Sequence, residues 1–252
     1  MKRTKIYGWK RDLPDFRDYK FGYTYVPKDL PSKVDLRRFF PVAYNQGSLG
    51  SCTAQAIAAA CQYELVQHKG KAGSFTPSRL FIYYNERYLE NTIPYDAGST
   101  LRSGVKSLNK WGFCEEELYP YIIKDFVKKP SQKVYEAAYP RRIYQYGRVN
   151  QDRESLCFNL ADSQPIVFGF AVYESFESKK VGSSGVVPFP KSDESCLGGH
   201  AVTLVGYDKN KQVYIFRNSY GSKWGDNGYG YLPFSYVENA SLAGDFWVIK
   251  AL

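Results

Sequence analysis

Apolar and polar positions divide the chain into two halves of different period. After a glycine-bearing turn, Gln46-Gly47-Ser48-Leu49-Gly50-Ser51, the run Cys52-Thr53-Ala54-Gln55-Ala56-Ile57-Ala58-Ala59-Ala60 is rich in alanine, the best helix former. A helix is predicted from near Cys52 to about His68, with Gly70 just past its end. Ile57, Cys61 and Leu65 recur every four residues and mark its expected buried stripe. Further helices are expected from Thr76-Pro77 onward, from Ser99 through Trp111 with Gly112 closing it, and over residues 153–162. From Pro165 the pattern becomes short β-branched and aromatic runs: Ile166 to Val172, Ala201 to Tyr207, Gln212 to Arg217, Tyr229 to Leu232 and Phe246 to Ile249. Turns such as Asp208-Lys209-Asn210 and Gly225-Asp226-Asn227-Gly228 separate them. The start of the chain is irregular, with extended or turn-forming pieces at Leu13 to Asp18 and from Val26-Pro27 through Leu30-Pro31. A segregated α+β protein with two lobes is the expectation, divided as a lead-in of residues 1–33, a helical lobe of 34–150 and a β-rich lobe of 151–252.

Composition narrows the class. At 252 residues, with 44% hydrophobic and 23% charged, the chain is long enough for a substantial core and ordinary for a globular protein. No apolar run approaches the ~18–20 residues of a membrane helix. The basic opening, MKRTKIYGWKRDLPDFRDYKF, lacks the apolar centre of a secretory signal, so a cytoplasmic or virion/particle-associated location is expected. The net charge of +9 comes from scattered pairs such as Lys128-Lys129 and Arg141-Arg142, without a nucleic-acid-binding signature. It predicts a cationic surface rather than a dedicated nucleic-acid site. Five cysteines give an odd count with no C-x-x-C pair, which suits a reducing compartment better than a disulfide framework. With two histidines and no paired cysteines, no metal site and no cofactor are expected.

Candidate chemistry centres on one thiol. Cys52 sits where a Gly-Ser turn becomes a helix, and unpaired N–H groups there favour a thiolate and a lowered pKa. Cys61 is nine residues on, roughly half a revolution away, and is expected in the core with Cys114 and Cys157. Of the histidines, His68 suits the end of the first helix as a bystander. His200 opens an apolar strand behind Gly198-Gly199, which allow close backbone approach, and is the candidate base. A cysteine nucleophile also needs an orienting group for its base and donors for the oxyanion. Asn218, after a strand that can lie beside that of His200, and Gln46, upstream of Cys52, are candidates.

These segments resemble the papain-like (cathepsin-like) cysteine peptidases. Gln46 to Cys52 is similar to the family's nucleophile motif, and Gly199-His200-Ala201-Val202 to its histidine motif. Asn218-Ser219-Tyr220-Gly221-Ser222-Lys223-Trp224-Gly225-Asp226-Asn227-Gly228-Tyr229-Gly230 is similar to its asparagine motif. All three stand in family order between about residue 34 and the end. Leu49, Thr53 and Tyr220 depart from residues common in the family, and its usual disulfide cysteines are not recognisable, as in a short-propeptide cytosolic, viral or prokaryotic-type member.

The resemblance implies a helical left lobe and an antiparallel β-barrel-like right lobe with the active-site cleft between them. It implies a cysteine endopeptidase, with Cys52 as nucleophile, His200 as acid and base, Asn218 orienting it and Gln46 in the oxyanion hole. For substrate binding it points to Gly98, Ser99, Gly198, Gly199, Ala201 and Trp224, with small residues beside His200 leaving room for a bulky side chain and a pocket floor near Asp245-Phe246. Carboxydipeptidase members pair two histidines on an occluding loop, and no such pair is present here. A monomer acting on a peptide or protein substrate is expected. Two other outcomes stay open: a catalytically silent scaffold that binds peptides or partners, and a Cys-dependent acyltransferase. Residues 1–33 have two readings, autoinhibition from within the cleft or a structural arm on one lobe.

Overall fold

The computed structural model describes residues 6–21 and 29–250, so the expected Val26-Pro27 piece lies outside the described residues. Helix α1 (Cys52–Lys69) ends at Gly70, whose φ of 70° suits a residue without a side chain. Every residue from Cys52 to Val66 is buried, so the four-residue stripe belongs to a helix buried on all sides. Its alanines let the sheet approach closely enough for the Thr203 hydroxyl to donate to Ala56 O at 3.0 Å. Helix α2 (Arg79–Leu89) starts later than Thr76-Pro77 because Ser78 is the cap, its Oγ accepting the Phe81 N–H. Helix α3 (Leu101–Trp111) is capped by Thr100 and closed by Gly112. Short helices α4 (Gln132–Ala138), α6 (Lys179–Ser184) and α7 (Phe234–Val237) were not expected, while α5 (Arg153–Ala161) follows its cap Asp152.

The strands are β1 (Trp9–Lys10), β2 (Lys33–Asp35), β3 (Ser99–Thr100), β4 (Gln145–Arg148), β5 (Ile166–Tyr173), β6 (Cys196–Asp208), β7 (Val213–Arg217), β8 (Tyr229–Pro233) and β9 (Ala243–Lys250). Seven form one antiparallel sheet in the order β4-β9-β5-β6-β7-β8, with β2 also on β6. The sheet therefore draws strands from both sides of position 150. β6 begins at Cys196, so His200 is inside the strand, opposite Phe170, rather than at its start as expected. Gly198 and Gly199 continue the pairing with Val172 and Ala171. Helix α1 packs on β5 and β6 with one side and on α2 and α3 with the other. It thereby carries its first residue to the seam between the lobes.

Candidate active site

At that seam the turn before α1 is held by Gly50, whose N–H donates to both oxygens of Asp96 at 3.0 Å. Ser51, at the cap position, makes no side-chain cap, its hydroxyl being shared with Tyr121 at 2.6 Å and Gln55 at 3.2 Å. The first helical N–H groups are thus left for other acceptors. The backbone N–H groups of Ala201, Gly8 and Thr53 each favour the Cys52 thiolate. Helix α1 packs on β6, so the thiol at its head stands by the strand that carries His200. The imidazole is fully buried, and its Nε2 lies 2.8 Å from Asn218 Oδ1, which also accepts the Ser219 N–H at 2.8 Å. That bond fixes the ring's orientation. Tyr220 stacks on the imidazole at 5.0 Å between centroids and screens the bond. Gln46 is tied in through Ser219, whose hydroxyl donates to Gln46 Oε1 at 2.6 Å. Its Nε2 gives one N–H to Leu49 O at 2.9 Å, and an amide nitrogen carries a second.

The lead-in crosses this cluster as a strap. β1 pairs in parallel with β3, and Ser99 N–H donates to Gly8 O at 2.8 Å. Gly8 fits because a Cβ there would lie 1.8 Å from Gly50 O. On one side of Gly8, Tyr7 meets the His200 ring edge-on at 6.2 Å and donates its hydroxyl to Glu177. On the other, the Trp9 indole covers Gly169 and Gly199 and donates to Asp245 Oδ2 at 3.1 Å.

Five of the expected binding residues are touched by this strap or by the thiol: Gly98 and Ser99 by Gly8, Gly198 by Tyr7, Gly199 by Trp9 and Ala201 by Cys52. Trp224 instead packs against Phe176, Phe216 and Tyr220, behind the imidazole. The expected lowering of the Cys52 pKa is reversed. Burial pushes the thiol up to about 11, against the three backbone donors. The strap excludes the water that a thiolate would need. Sequence reasoning missed Tyr7, Gly8 and Trp9 as cleft residues. The available signal was a glycine between two aromatics.

A charged latch fastens the strap to both lobes. Arg148 donates to Asp12 at 2.6 Å, Asp18 at 2.6 Å and Asp245 at 3.2 Å, and Arg102 of α3 also binds Asp18. Burial first, and then the neighbouring Asp245, push the Asp12 carboxyl up to about 6. Asp18 is half-buried, and hydrogen bonds from Arg102 and Arg148 hold it below its ordinary value against that burial. A raised carboxyl pKa means that the docked strap binds more protons than the free one. The Asp12 contribution to docking is therefore full below its unfolded value and is lost as pH rises through about 6. The Asp18 contribution has the opposite sign and is lost in stronger acid. Deuterium exchange at the Trp9 and Lys10 amides, corrected for intrinsic rate, should therefore speed up from about pH 5 to about pH 7. Slower corrected exchange over that interval would contradict the assignment.

Comparison with known proteins agrees with this geometry. The sequence pattern of the papain family cysteine proteases matches residues 30–243, beginning after the strap. An uncharacterized peptidase C1-like protein of Acanthamoeba polyphaga mimivirus is 42% identical over 98% of this chain and 87% of its own. Mouse pro-cathepsin H is 30% identical over 83% of this chain, which spans 62% of that protein. The crystal structure of xylellain, a cysteine protease from Xylella fastidiosa, superposes with a TM-score of 0.89 at 40% identity, covering 100% of this chain and 99% of that one.

Proposed function

The chain belongs to the papain family of cysteine proteases, and on that premise we propose that it is an endopeptidase whose nucleophile is Cys52 and whose acid and base is His200. The observation that carries this assignment is the buried His200 ring held at 2.8 Å by Asn218, on the strand that packs against the helix headed by Cys52. With the cleft open, the Cys52 thiolate adds to a peptide carbonyl carbon. The C–N bond breaks as the His200 imidazolium gives its proton to the leaving amine. Water, deprotonated by His200, then releases the acid from the thioester. The Cys52 N–H and the second N–H of Gln46 Nε2 stabilise the oxyanion. Asn218 positions the imidazole. Asn218→Ala is expected to lower kcat on the order of 10²-fold with little change in KM, and steady-state kinetics on one peptide checks it.

In the closed state the strap acts as an inhibitor. Its Gly8 carbonyl oxygen accepts the Ser99 N–H, and the Tyr7 ring lies edge-on against His200. Among the described residues no helix is long and apolar enough to cross a membrane. All five cysteines are free thiols, which supports a reducing location inside a cell or a particle. Internally quenched peptides with products mapped by mass test the endopeptidase assignment. Cuts at internal bonds are expected, and release of C-terminal dipeptides alone would contradict it.

A further inference from the structure

The helical lobe carries a hollow that the Cys52 centre does not use. It lies at the end of α3 away from Ser99, roughly 15 Å along the helix from Leu101. Its volume is about 650 Å³, and its walls are Tyr88 of α2, Trp111 of α3, Tyr135 of α4, Tyr139 and Pro130. Tyr88 meets Trp111 edge-on at 5.6 Å, and Trp111 meets Tyr135 at 6.3 Å, so the three rings brace one another. The Tyr135 hydroxyl donates to the buried Asn85 at 2.8 Å, which fixes that wall from behind. At the mouth, Tyr88 is 49% exposed and Tyr139 55%, two large rings left to water side by side with a formed hollow.

Lys129 lines this hollow and also a second, of about 250 Å³, walled by Leu118, Pro120 and Ile122. The two hollows adjoin, so a ligand that fills both is extended. Lys110 Nζ stands 4.5 Å over the Trp111 ring, and the Arg142 guanidinium 4.0 Å over Tyr139. Lys110, Lys129 and Arg142 form no ion pair among the described residues, whereas Arg79 and Arg141 of the same lobe do. In the larger hollow the one carboxylate, Glu136, takes the Gln132 amide at 3.3 Å. In the smaller, Lys128 and Asp125 offset each other in charge.

The walls are therefore flat and apolar, with the Trp111 N–H and the Lys129 ammonium as donors and with excess positive charge. A complementary ligand is extended, acidic, rich in acceptors and poor in donors. An α-helix spends its carbonyls on its own N–H groups. A sugar brings a donor with every hydroxyl. A nucleic-acid strand asks for further rings to stack on, and the second hollow is largely aliphatic. A proline-rich segment meets the requirement. It is extended, has no N–H at its prolines, leaves its carbonyls free, and docks in aromatic-lined grooves.

We propose that the two hollows form a docking groove for a proline-rich, acidic segment of a partner polypeptide, read by the aromatic walls and by Lys129. The groove does not depend on the peptidase assignment.

Fluorescence anisotropy on the full chain tests it, in a Cys52→Ala background so that no peptide is consumed. The labelled probes are nine-residue peptides of three Pro-Pro-Glu, Pro-Pro-Lys or Ala-Ala-Glu repeats. The Pro-Pro-Glu peptide should bind at least about tenfold more tightly than either of the others. Tyr139→Ala and Lys129→Glu change exposed positions, so both chains should unfold thermally as their parent does. Each should weaken Pro-Pro-Glu binding about fivefold or more, and Lys129→Glu should bring Pro-Pro-Lys to at least equal affinity. Equal binding of the three peptides, or affinities that neither substitution moves, overturns the proposal. Oligouridylate or maltohexaose binding more tightly than the Pro-Pro-Glu peptide, and lost in Tyr139→Ala, overturns it in favour of a nucleic-acid or sugar site.

Discussion

A Gly8→Val chain is expected to cleave peptides at least about tenfold faster than the native sequence. The native strap fits because position 8 lacks a side chain. A Cβ there would lie 1.8 Å from Gly50 O, and that oxygen belongs to the rigid turn before α1. The added valine cannot be absorbed by a side-chain rotation, since the obstruction is backbone. Gly98 adds a second constraint, because a Cβ on it would meet Gly8 O at 2.1 Å. A loss of about 1.4 kcal/mol of docking already multiplies the open fraction tenfold while that fraction is small. The latch at Asp12 and Asp18 is left untouched, so the rest of the chain keeps its contacts. Alkylation of Cys52 by iodoacetamide at neutral pH should accelerate in parallel, because opening removes the burial that pushes the thiol up to about 11. An unchanged rate in both assays would make the strap a structural arm.

The second large effect is the loss of the nucleophile. In the Gly8→Val background, Cys52→Ala should lower kcat by on the order of 10⁴ or more. The loss is that large because no other thiol can substitute. Cys61, Cys114 and Cys157 are buried in the core, and Cys196 is exposed in the part of β6 before His200. Deleting one buried sulfur should cost only about 1–2 kcal/mol of stability, so thermal unfolding separates a dead enzyme from an unfolded one. Residual hydrolysis within tenfold of the parent would move the chemistry away from Cys52.

Much of this site was legible because its key residues are set by local rules. Cys52 heads a helix whose composition and Gly70 stop can be read without tertiary information, and Gly198-Gly199 announced a backbone that something approaches. Asn218 was found by its place after a strand, and the hydrogen bond to His200 follows from the antiparallel pairing of β6 with β7. The exact strand limits were less legible. β6 runs back through Cys196-Leu197-Gly198-Gly199 because pairing with β5, not β-propensity, makes these residues a strand. Strands β2 and β4 are short and polar, and owe their conformation to β6 and β9. The strap was the least visible part. Its two-residue β1 has no period to read, and its place is fixed by ion pairs over more than a hundred positions of sequence, such as Arg148 with Asp12. The thiol's environment failed for the same reason, since a helix N-terminus is a local feature and burial by a distant segment is not.

The proposed Cys52–His200 centre lies under the chain's own N-terminal strap. Time-resolved mass analysis of labelling by an epoxysuccinyl peptide tests it most directly, comparing the native and Gly8→Val chains. One adduct per chain is expected, on Cys52, forming slowly in the native protein and at least about tenfold faster in the variant. Equal rates in the two chains, an adduct on another cysteine, or no adduct in either would contradict it.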